Sequence, residues 1–176
     1  KQAAAIIVNA KTQRPSVCNS LDTLVVHKKS IKNLFQVLAP SLARFGVEIR
    51  ADVASYQELK KYYPRSLVKK AQASDYGREF LSLIMAVKTV GSFTAGLGFI
   101  KTHTSHHSES IITTDKKNAE KFMQEVDAAV VYHNASTRFT AGGEFGMGAE
   151  VGVSTQKLHV RGPMGAAAFT TYKWLV

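Results

Sequence analysis

The sequence is poor in cysteine and contains no long apolar run. Cys18 is the one cysteine among 176 residues, so an internal disulfide and a zinc site built on several cysteines are both excluded. No stretch approaches the roughly 18 apolar residues of a transmembrane helix, and Lys1–Ile7 lacks the apolar core and cleavage site of a signal peptide. These features favour a soluble, cytoplasmic protein.

Acidic residues are scarce relative to basic ones. Lys and Arg number 23 against 13 Asp and Glu, which gives a formal net charge of +10. Such an excess suits anionic partners such as phosphorylated small molecules. The basic residues are dispersed as doublets, for example Lys28-Lys29 and Lys116-Lys117, beside apolar periodic segments, which is typical of solvated faces. We therefore expect neither a nucleic-acid nor a membrane partner.

Helix and strand patterns alternate along the first three quarters of the chain. Apolar spacing and capping residues predict helices over residues 2–10, 30–45, 55–63, 93–103 and 115–125. Apolar β-rich runs predict strands over residues 24–27, 47–50, 83–90, 110–113 and 128–132. This alternation predicts an α/β fold with a doubly wound, mostly parallel sheet over residues 1–133. Residues 134–176 hold most of the glycines and are expected to form a loop-rich, partly extended segment packed with the same unit.

The first segment with candidate chemistry is NAKTQRPSVCN, residues 9–19. It places a thiol seven residues after Lys11 and four after Arg14, in an irregular connection between a helix and a strand. Nearby positive charge lowers the pKa of a thiol and so favours the reactive thiolate. We therefore expect Cys18 to be exposed and reactive. A buried apolar role stays open, since free cysteine is among the most buried residue types.

Two further segments follow the last predicted strand. NASTRFT, residues 134–140, lies where open α/β sheets place ligand-binding loops, and its arginine and hydroxyls suit a carboxylate or phosphate. GGEFGMGAE, residues 142–150, leads into STQKLH at 154–159 and RGPMG at 161–165. A glycine-rich loop alone is weak evidence of phosphate binding, because turns need glycine more often than phosphates do.

These segments together, in this order, resemble γ-glutamyl phosphate reductase, a branch of the aldehyde dehydrogenase superfamily. The resemblance runs along nearly the whole chain and identifies Cys18 as the catalytic cysteine. It implies an NADPH-dependent enzyme of proline biosynthesis that converts γ-glutamyl phosphate to glutamate 5-semialdehyde and phosphate through a cysteine thioester. Residues 1–133 would then be the catalytic domain, and residues 134–176 would contact the substrate and form interfaces.

The resemblance also implies a cofactor residue. Glu79, in DYGREFL at residues 75–81, falls where the superfamily keeps a glutamate that binds the nicotinamide ribose hydroxyls. A carboxylate accepts two hydroxyl hydrogen bonds well. The alternative is a surface glutamate beside Arg78.

The substrate-binding residues follow from charge and loop position. Lys11 or Arg14 is expected to hold the leaving phosphate, while Arg138 with Ser136 and Thr137 is expected to hold the amino-acid carboxylate.

Enzymes of the family are longer than this chain, and the portion expected to be missing is the N-terminal one that carries most of the cofactor-binding fold. The resemblance therefore implies that this chain partners such a domain, that the full enzyme is a homo-oligomer, and that the 176 residues alone do not turn over.

Two other readings stay open. One is a non-catalytic binding or assembly module, and the other is a hydrolase that pairs Cys18 with His133 or His159. The cluster of His103, His106 and His107 is not expected to bind a metal, because no further acid or thiol ligand accompanies it.

Overall fold

The computed structural model describes residues 1–176. Its helices are α1 (Gln2–Thr12), α2 (Ile31–Arg44), α3 (Val53–Leu59), α4 (Phe93–His103) and α5 (Lys116–Glu125). Its strands are β1 (Thr23–His27), β2 (Glu48–Ala51), β3 (Val68–Lys70), β4 (Ile84–Val90), β5 (Ser108–Ile111), β6 (Val130–His133), β7 (Gly152–Ser154) and β8 (Gly162–Met164).

The main sheet has four parallel strands in the order β1-β4-β2-β3. A parallel pair, β5-β6, and an antiparallel pair, β7-β8, stand apart from it. The α/β fold with a parallel sheet is thus confirmed. Strand β4 lies in the middle, and its consecutive residues Met85, Ala86 and Val87 are all buried. Burial of consecutive residues means that both faces of the sheet are covered at this strand, as its apolar run predicts.

The core lies between the sheet and three helices. In α2, the residues Phe35, Leu38 and Leu42 are each at most 1% exposed, and their spacing places them on one face of the helix. They pack in one cluster with Ile7 of α1 and Leu59 of α3. This packing fixes the C-terminal end of α1, from which the chain enters the segment that carries Cys18.

Helix boundaries depart from the sequence prediction where a side-chain cap was overlooked. Helix α3 begins two residues earlier than expected because Asp52 Oδ1 accepts a hydrogen bond from Ser55 N at 3.0 Å. It also ends at Leu59, four residues before the predicted end. Asp115 caps α5 as predicted, through a 3.1 Å bond from Asn118 N, whereas Ser30 precedes α2 without a side-chain cap.

A cavity of about 690 Å³ separates the main sheet from the β5-β6 pair. Strand β1 on one side and strand β5 on the other both line it, and α1 and α4 contribute apolar side chains such as Ile7 and Leu97. Strand β1 pairs only with β4 and strand β5 only with β6, so no strand is paired with either of them across the cavity. None of the helices combines the length and the apolar character needed to cross a bilayer.

Candidate active site

Cys18 lies in the irregular connection between α1 and β1 and is exposed, as predicted. The helix ends at Thr12, whose hydroxyl donates to Val8 O at 2.8 Å. Pro15 follows within three residues, and proline has no backbone N–H with which to continue a helix. The chain then turns back so that Leu21 N donates to Ala10 O at 3.0 Å. The connection is therefore anchored to the end of the helix it leaves.

The residue after the thiol, Asn19, is buried and is held by the loop 137–140. Its Nδ2 donates to Thr140 O at 2.8 Å, and its own carbonyl oxygen accepts from Thr137 Oγ1 at 2.7 Å. Its Oδ1 accepts from Arg138 Nη1. The structure thus brings together the two segments that the sequence singles out, Cys18 with its neighbour and the loop after β6.

Asn134 sets the direction of this loop. Its φ is 56°, a left-handed conformation that asparagine tolerates better than most residues. Its side chain pairs with the backbone of Thr113, accepting from the N–H at 3.0 Å and donating to the carbonyl at 3.0 Å. Since Thr113 follows β5 and Asn134 follows β6, this pairing ties together the carboxyl ends of the two strands and aims the loop across them.

Thr140 anchors the far end of the loop. Its side chain is 1% exposed, and its hydroxyl lies 2.7 Å from Ser108 Oγ and 2.9 Å from Tyr132 OH. Ser108 Oγ is in turn 2.7 Å from His107 Nδ1. Buried hydroxyls that are all hydrogen-bonded hold a single geometry, so the carbonyl of Thr140 presents a fixed acceptor to Asn19.

The three loop residues expected to bind substrate all have partners inside the protein. Thr137 bonds to Asn19 as described, and the buried hydroxyl of Ser136 accepts from Arg138 N at 3.3 Å. Besides Asn19, the Arg138 guanidinium contacts Gln13 Oε1, to which Nε donates at 3.2 Å. Their role toward a substrate stays a prediction.

The expectation that nearby cations lower the pKa of Cys18 is wrong. Partial burial raises the pKa of the thiol, and the negative charges of Glu79 and Glu150 raise it further. The influences that lower it come from the backbone of Cys18 and Asn19, whose N–H groups act on the sulfur. Neither Lys11 nor Arg14 is among these influences, and Lys11 points into the protein, where it pairs with Asp22.

Lys11 is fully buried, and its Nζ lies 3.5 Å from Asp22 Oδ1. Asp22 Oδ1 also accepts a bond from Phe80 N at 3.2 Å. In this structure the ammonium of Lys11 is therefore closed off from solvent and holds the carboxylate that anchors the segment containing Glu79. Arg14, by contrast, is exposed.

Glu79 is exposed and takes part in no ion pair. Its charge acts on both Cys18 and Asp22, so the fold places this carboxylate near the thiol. Glu150 is also exposed, and its Oε2 accepts from Gly142 N at 2.5 Å. It acts on Cys18 and on His107. Two carboxylates from distant segments therefore flank the thiol.

The segments 154–159 and 161–165, which follow the glycine-rich loop, make ion pairs at a separate place. Lys157 Nζ and Arg161 Nη2 contact the two oxygens of Asp127 at 2.6 and 2.8 Å, and they hold the pKa of this carboxyl at about 2. These ion pairs connect the hairpin β7-β8 to the turn before β6. No group of three or more His, Cys, Asp or Glu side chains has a geometry suited to a metal ion.

Asn19, Thr140 and Glu150 were missed from the sequence, although all three join the site. Asn19 stands inside the motif that was singled out, directly beside the cysteine, and this adjacency was the available signal. Thr140 and Glu150 likewise stand inside the segments 134–140 and 142–150, but nothing in the sequence shows which residues of those segments reach Asn19 or the thiol.

Comparison with known proteins gives a consistent result, although no protein-family model matches the sequence. The chain is 53% identical over 176 residues to a γ-glutamyl phosphate reductase of Chlorobium luteolum, covering 100% of this chain and 42% of that protein. The crystal structure of γ-glutamyl phosphate reductase from Thermotoga maritima is 45% identical and superposes with a TM-score of 0.88, covering 98% of this chain and 40% of that one.

A more distant neighbour has the same fold. A propionaldehyde dehydrogenase from a Clostridium phytofermentans microcompartment is 15% identical, with a TM-score of 0.66, and the match covers 97% of this chain and 46% of that one. This chain therefore spans about two fifths of the length of the relatives it matches at high identity.

Proposed function

We propose that this chain, which is homologous along its whole length to γ-glutamyl phosphate reductases, is the part of such an enzyme that carries the catalytic cysteine. The whole enzyme would reduce γ-glutamyl phosphate to glutamate 5-semialdehyde and phosphate in the cytoplasm, as a step of proline biosynthesis. The rest of the length of the relatives would supply the greater part of the cofactor-binding fold.

One observation carries the proposal. The exposed thiol of Cys18 is followed by a buried residue, Asn19, that is hydrogen-bonded by three residues of the loop 137–140. A loop after a strand of an α/β sheet is where such folds bind ligands, and an exposed thiol at that place can reach an acyl group. A structural cysteine would instead be buried among apolar side chains.

In the proposed reaction the thiolate of Cys18 attacks the acyl carbon and a C–S bond forms. The bond between the acyl carbon and the bridging phosphate oxygen breaks, and phosphate leaves with its electron pair. The attack places negative charge on the former carbonyl oxygen. The backbone N–H groups of Cys18 and Asn19 lie beside the nucleophile in the chain, and we assign them to the stabilisation of this oxyanion. When the product forms, the C–S bond breaks and its electron pair returns to the sulfur.

The residues present fit one part of NADPH, the nicotinamide ribose. Glu79 offers an exposed carboxylate without an ion-pair partner, close enough to the thiol for its charge to act there. A ribose diol bound by this carboxylate would hold the nicotinamide ring near Cys18. When bound, the cofactor supplies the hydride that reduces the thioester. Its phosphates have no matching glycine signature in this chain.

For the leaving phosphate, the exposed guanidinium of Arg14 is the better of the two predicted ligands. It lies four residues before the thiol and is accessible, whereas Lys11 is enclosed with Asp22. We keep Ser136, Thr137 and Arg138 as the proposed wall of the site for the amino-acid carboxylate, since their loop contacts the residue beside the thiol.

Acyl transfer to the thiol provides the test. The purified chain is incubated with acetyl phosphate, and intact mass and peptide mapping then locate any added acetyl group. We expect one acetyl group on Cys18, sensitive to hydroxylamine, and none in Cys18→Ser. Acetylation spread over lysines with Cys18 unmodified would contradict the proposed function and favour the non-catalytic module.

The Cys-His hydrolase has less support. His133 Nε2 contacts Thr113 O at 3.0 Å, and neither His133 nor His159 is among the groups that act on the thiol. A general base must lie within hydrogen-bond reach of the proton it takes. The structure provides no such histidine for Cys18.

A further inference from the structure

Arg138 has an arrangement that a simple substrate ligand does not need. Its guanidinium donates through Nε to Gln13 Oε1 and through Nη1 to Asn19 Oδ1. Gln13 is the C-cap residue that follows α1, and Asn19 is the residue after the thiol. One planar group therefore bridges both ends of the segment 13–19 that carries Cys18.

The bridge ends on neutral amides rather than on a carboxylate. Arg138 forms no salt bridge, although its guanidinium is half-buried. Hydrogen bonds with one charged partner are roughly twice as strong as neutral ones. The Arg138 guanidinium, which donates to both amides, therefore restrains both of them. Its geometry is rigid, which lysine cannot reproduce because its ammonium is a point charge on a flexible stem.

Asn19 transmits this restraint to the thiol. Both ends of its side chain and its carbonyl oxygen are bonded to the loop 137–140. The orientation of the peptide between Cys18 and Asn19 is therefore fixed by groups outside the segment 13–19. The backbone of Cys18 and Asn19 acts to lower the pKa of the thiol, against burial and the charges of Glu79 and Glu150, which raise it.

We propose that Arg138 is a positioning residue for the nucleophile: by bridging Gln13 and Asn19, it holds in place the segment 13–19 that carries the Cys18 thiol. This rests on the proposed function in so far as Cys18 is the nucleophile. The role is separate from substrate binding, because it operates in the free protein and uses contacts that need no ligand.

The test measures the rate of Cys18 alkylation by iodoacetamide as a function of pH, using the 176-residue chain. We expect Arg138→Lys to slow alkylation at neutral pH about tenfold, equivalent to an upward shift of about one in the apparent thiol pKa. The matched control is Arg44→Lys, an exposed arginine at the end of α2, which should leave the profile unchanged.

A double-mutant cycle shows whether Arg138 acts through Asn19. Asn19→Ala should slow alkylation by itself, and Arg138→Lys added to it should cause no further slowing, because the link is already broken. Circular dichroism and thermal midpoints verify that each variant is folded. A variant with a lower midpoint but an unchanged alkylation profile would overturn the inference, as would additive effects in the cycle.

The outcome is independent of the acyl-transfer test. If Cys18 accepts no acetyl group while Arg138→Lys still shifts its alkylation profile, the proposed function fails, but Arg138 is still shown to position the Cys18 thiol. If acetylation proceeds and the profile is unaffected, the positioning role fails alone.

Discussion

Lys11 and Asp22 form an ion pair in which the ammonium is completely shielded from solvent and the carboxylate keeps 22% of its exposure. Burial lowers the pKa of Lys11 and raises that of Asp22, which shows that the loss of hydration outweighs the attraction of the opposite charge. The carboxylate also accepts the N–H of Phe80. The pair therefore joins the end of α1 to the segment that carries Glu79.

Replacement of Lys11 by an uncharged residue should lower the free energy of unfolding. We expect Lys11→Met to lower the free energy of unfolding by about 3 kcal/mol, because it leaves a half-buried carboxylate without its counter-ion. Chemical denaturation provides the measurement. Lys117→Met, at an exposed position of α5 with no ion pair, is the control and should change stability by less than about 0.5 kcal/mol. Equal effects at the two positions would contradict the role assigned to Lys11.

Removal of the Asp52 side chain should destabilise the protein more than removal of Asp115, which caps another helix. Its Oδ1 accepts from Ser55 N and from Thr89 Oγ1 at 2.9 Å, and its Oδ2 accepts from Thr89 N at 2.7 Å. Asp115 caps α5 at an exposed site. We expect Asp115→Ala to cost about 1 kcal/mol and Asp52→Ala about 3 kcal/mol, since it also leaves Thr89 without its acceptor. Thermal and chemical unfolding measure the loss of stability in both variants. Equal losses would refute this ranking.

Neutralisation of the carboxylates beside the thiol should make it more acidic. Glu79 and Glu150 both act to raise the pKa of Cys18, so Glu79→Gln or Glu150→Gln should move the alkylation profile to lower pH. Glu120→Gln on α5 provides a carboxylate that does not act on the thiol. An unchanged profile in both test variants would show that neither charge reaches the sulfur.

Acid should weaken the fold through Asp75. This carboxyl is buried, which acts to raise its pKa, but bonds from Gln72 N at 2.8 Å and from Arg50 Nη1 at 2.7 Å prevail and lower it. A carboxyl whose pKa is lower in the folded state stabilises the fold above its unfolded pKa of about 4 and loses that contribution as the pH falls below it. Asp75→Asn should therefore flatten the loss of unfolding free energy that the wild-type protein shows as the pH falls below about 4. If the unfolding free energy of this variant fell with pH as steeply as in the wild-type protein, other groups would be responsible for the loss.

The parts of the fold that local patterns control were predictable. The apolar run of β4 and the spacing of Phe35, Leu38 and Leu42 are local patterns, and each indicates residues that are buried in the structure. Helix α4 spans Phe93–His103, as predicted, in spite of two glycines. The start of α3 was misplaced because the Asp52 side chain, rather than apolar spacing, determines it.

The electrostatics of the site could not be predicted in the same way. Sequence spacing placed two cations near Cys18, yet a helix end can direct neighbouring side chains to opposite sides, and Lys11 points inward while Arg14 faces solvent. The carboxylates that act on the thiol come from positions far along the chain. A pKa depends on distances in three dimensions, which a single sequence does not contain.

The hydrogen bond between Asn19 and Thr140 joins residues 121 positions apart. Contacts with long sequence separation form slowly, because the intervening chain must first be ordered. During synthesis, the partners that orient Cys18 are translated more than a hundred residues after it. Alkylation of nascent or refolding chains would therefore follow a different time course from the formation of secondary structure, and the thiol becomes a reporter of the last stage of folding.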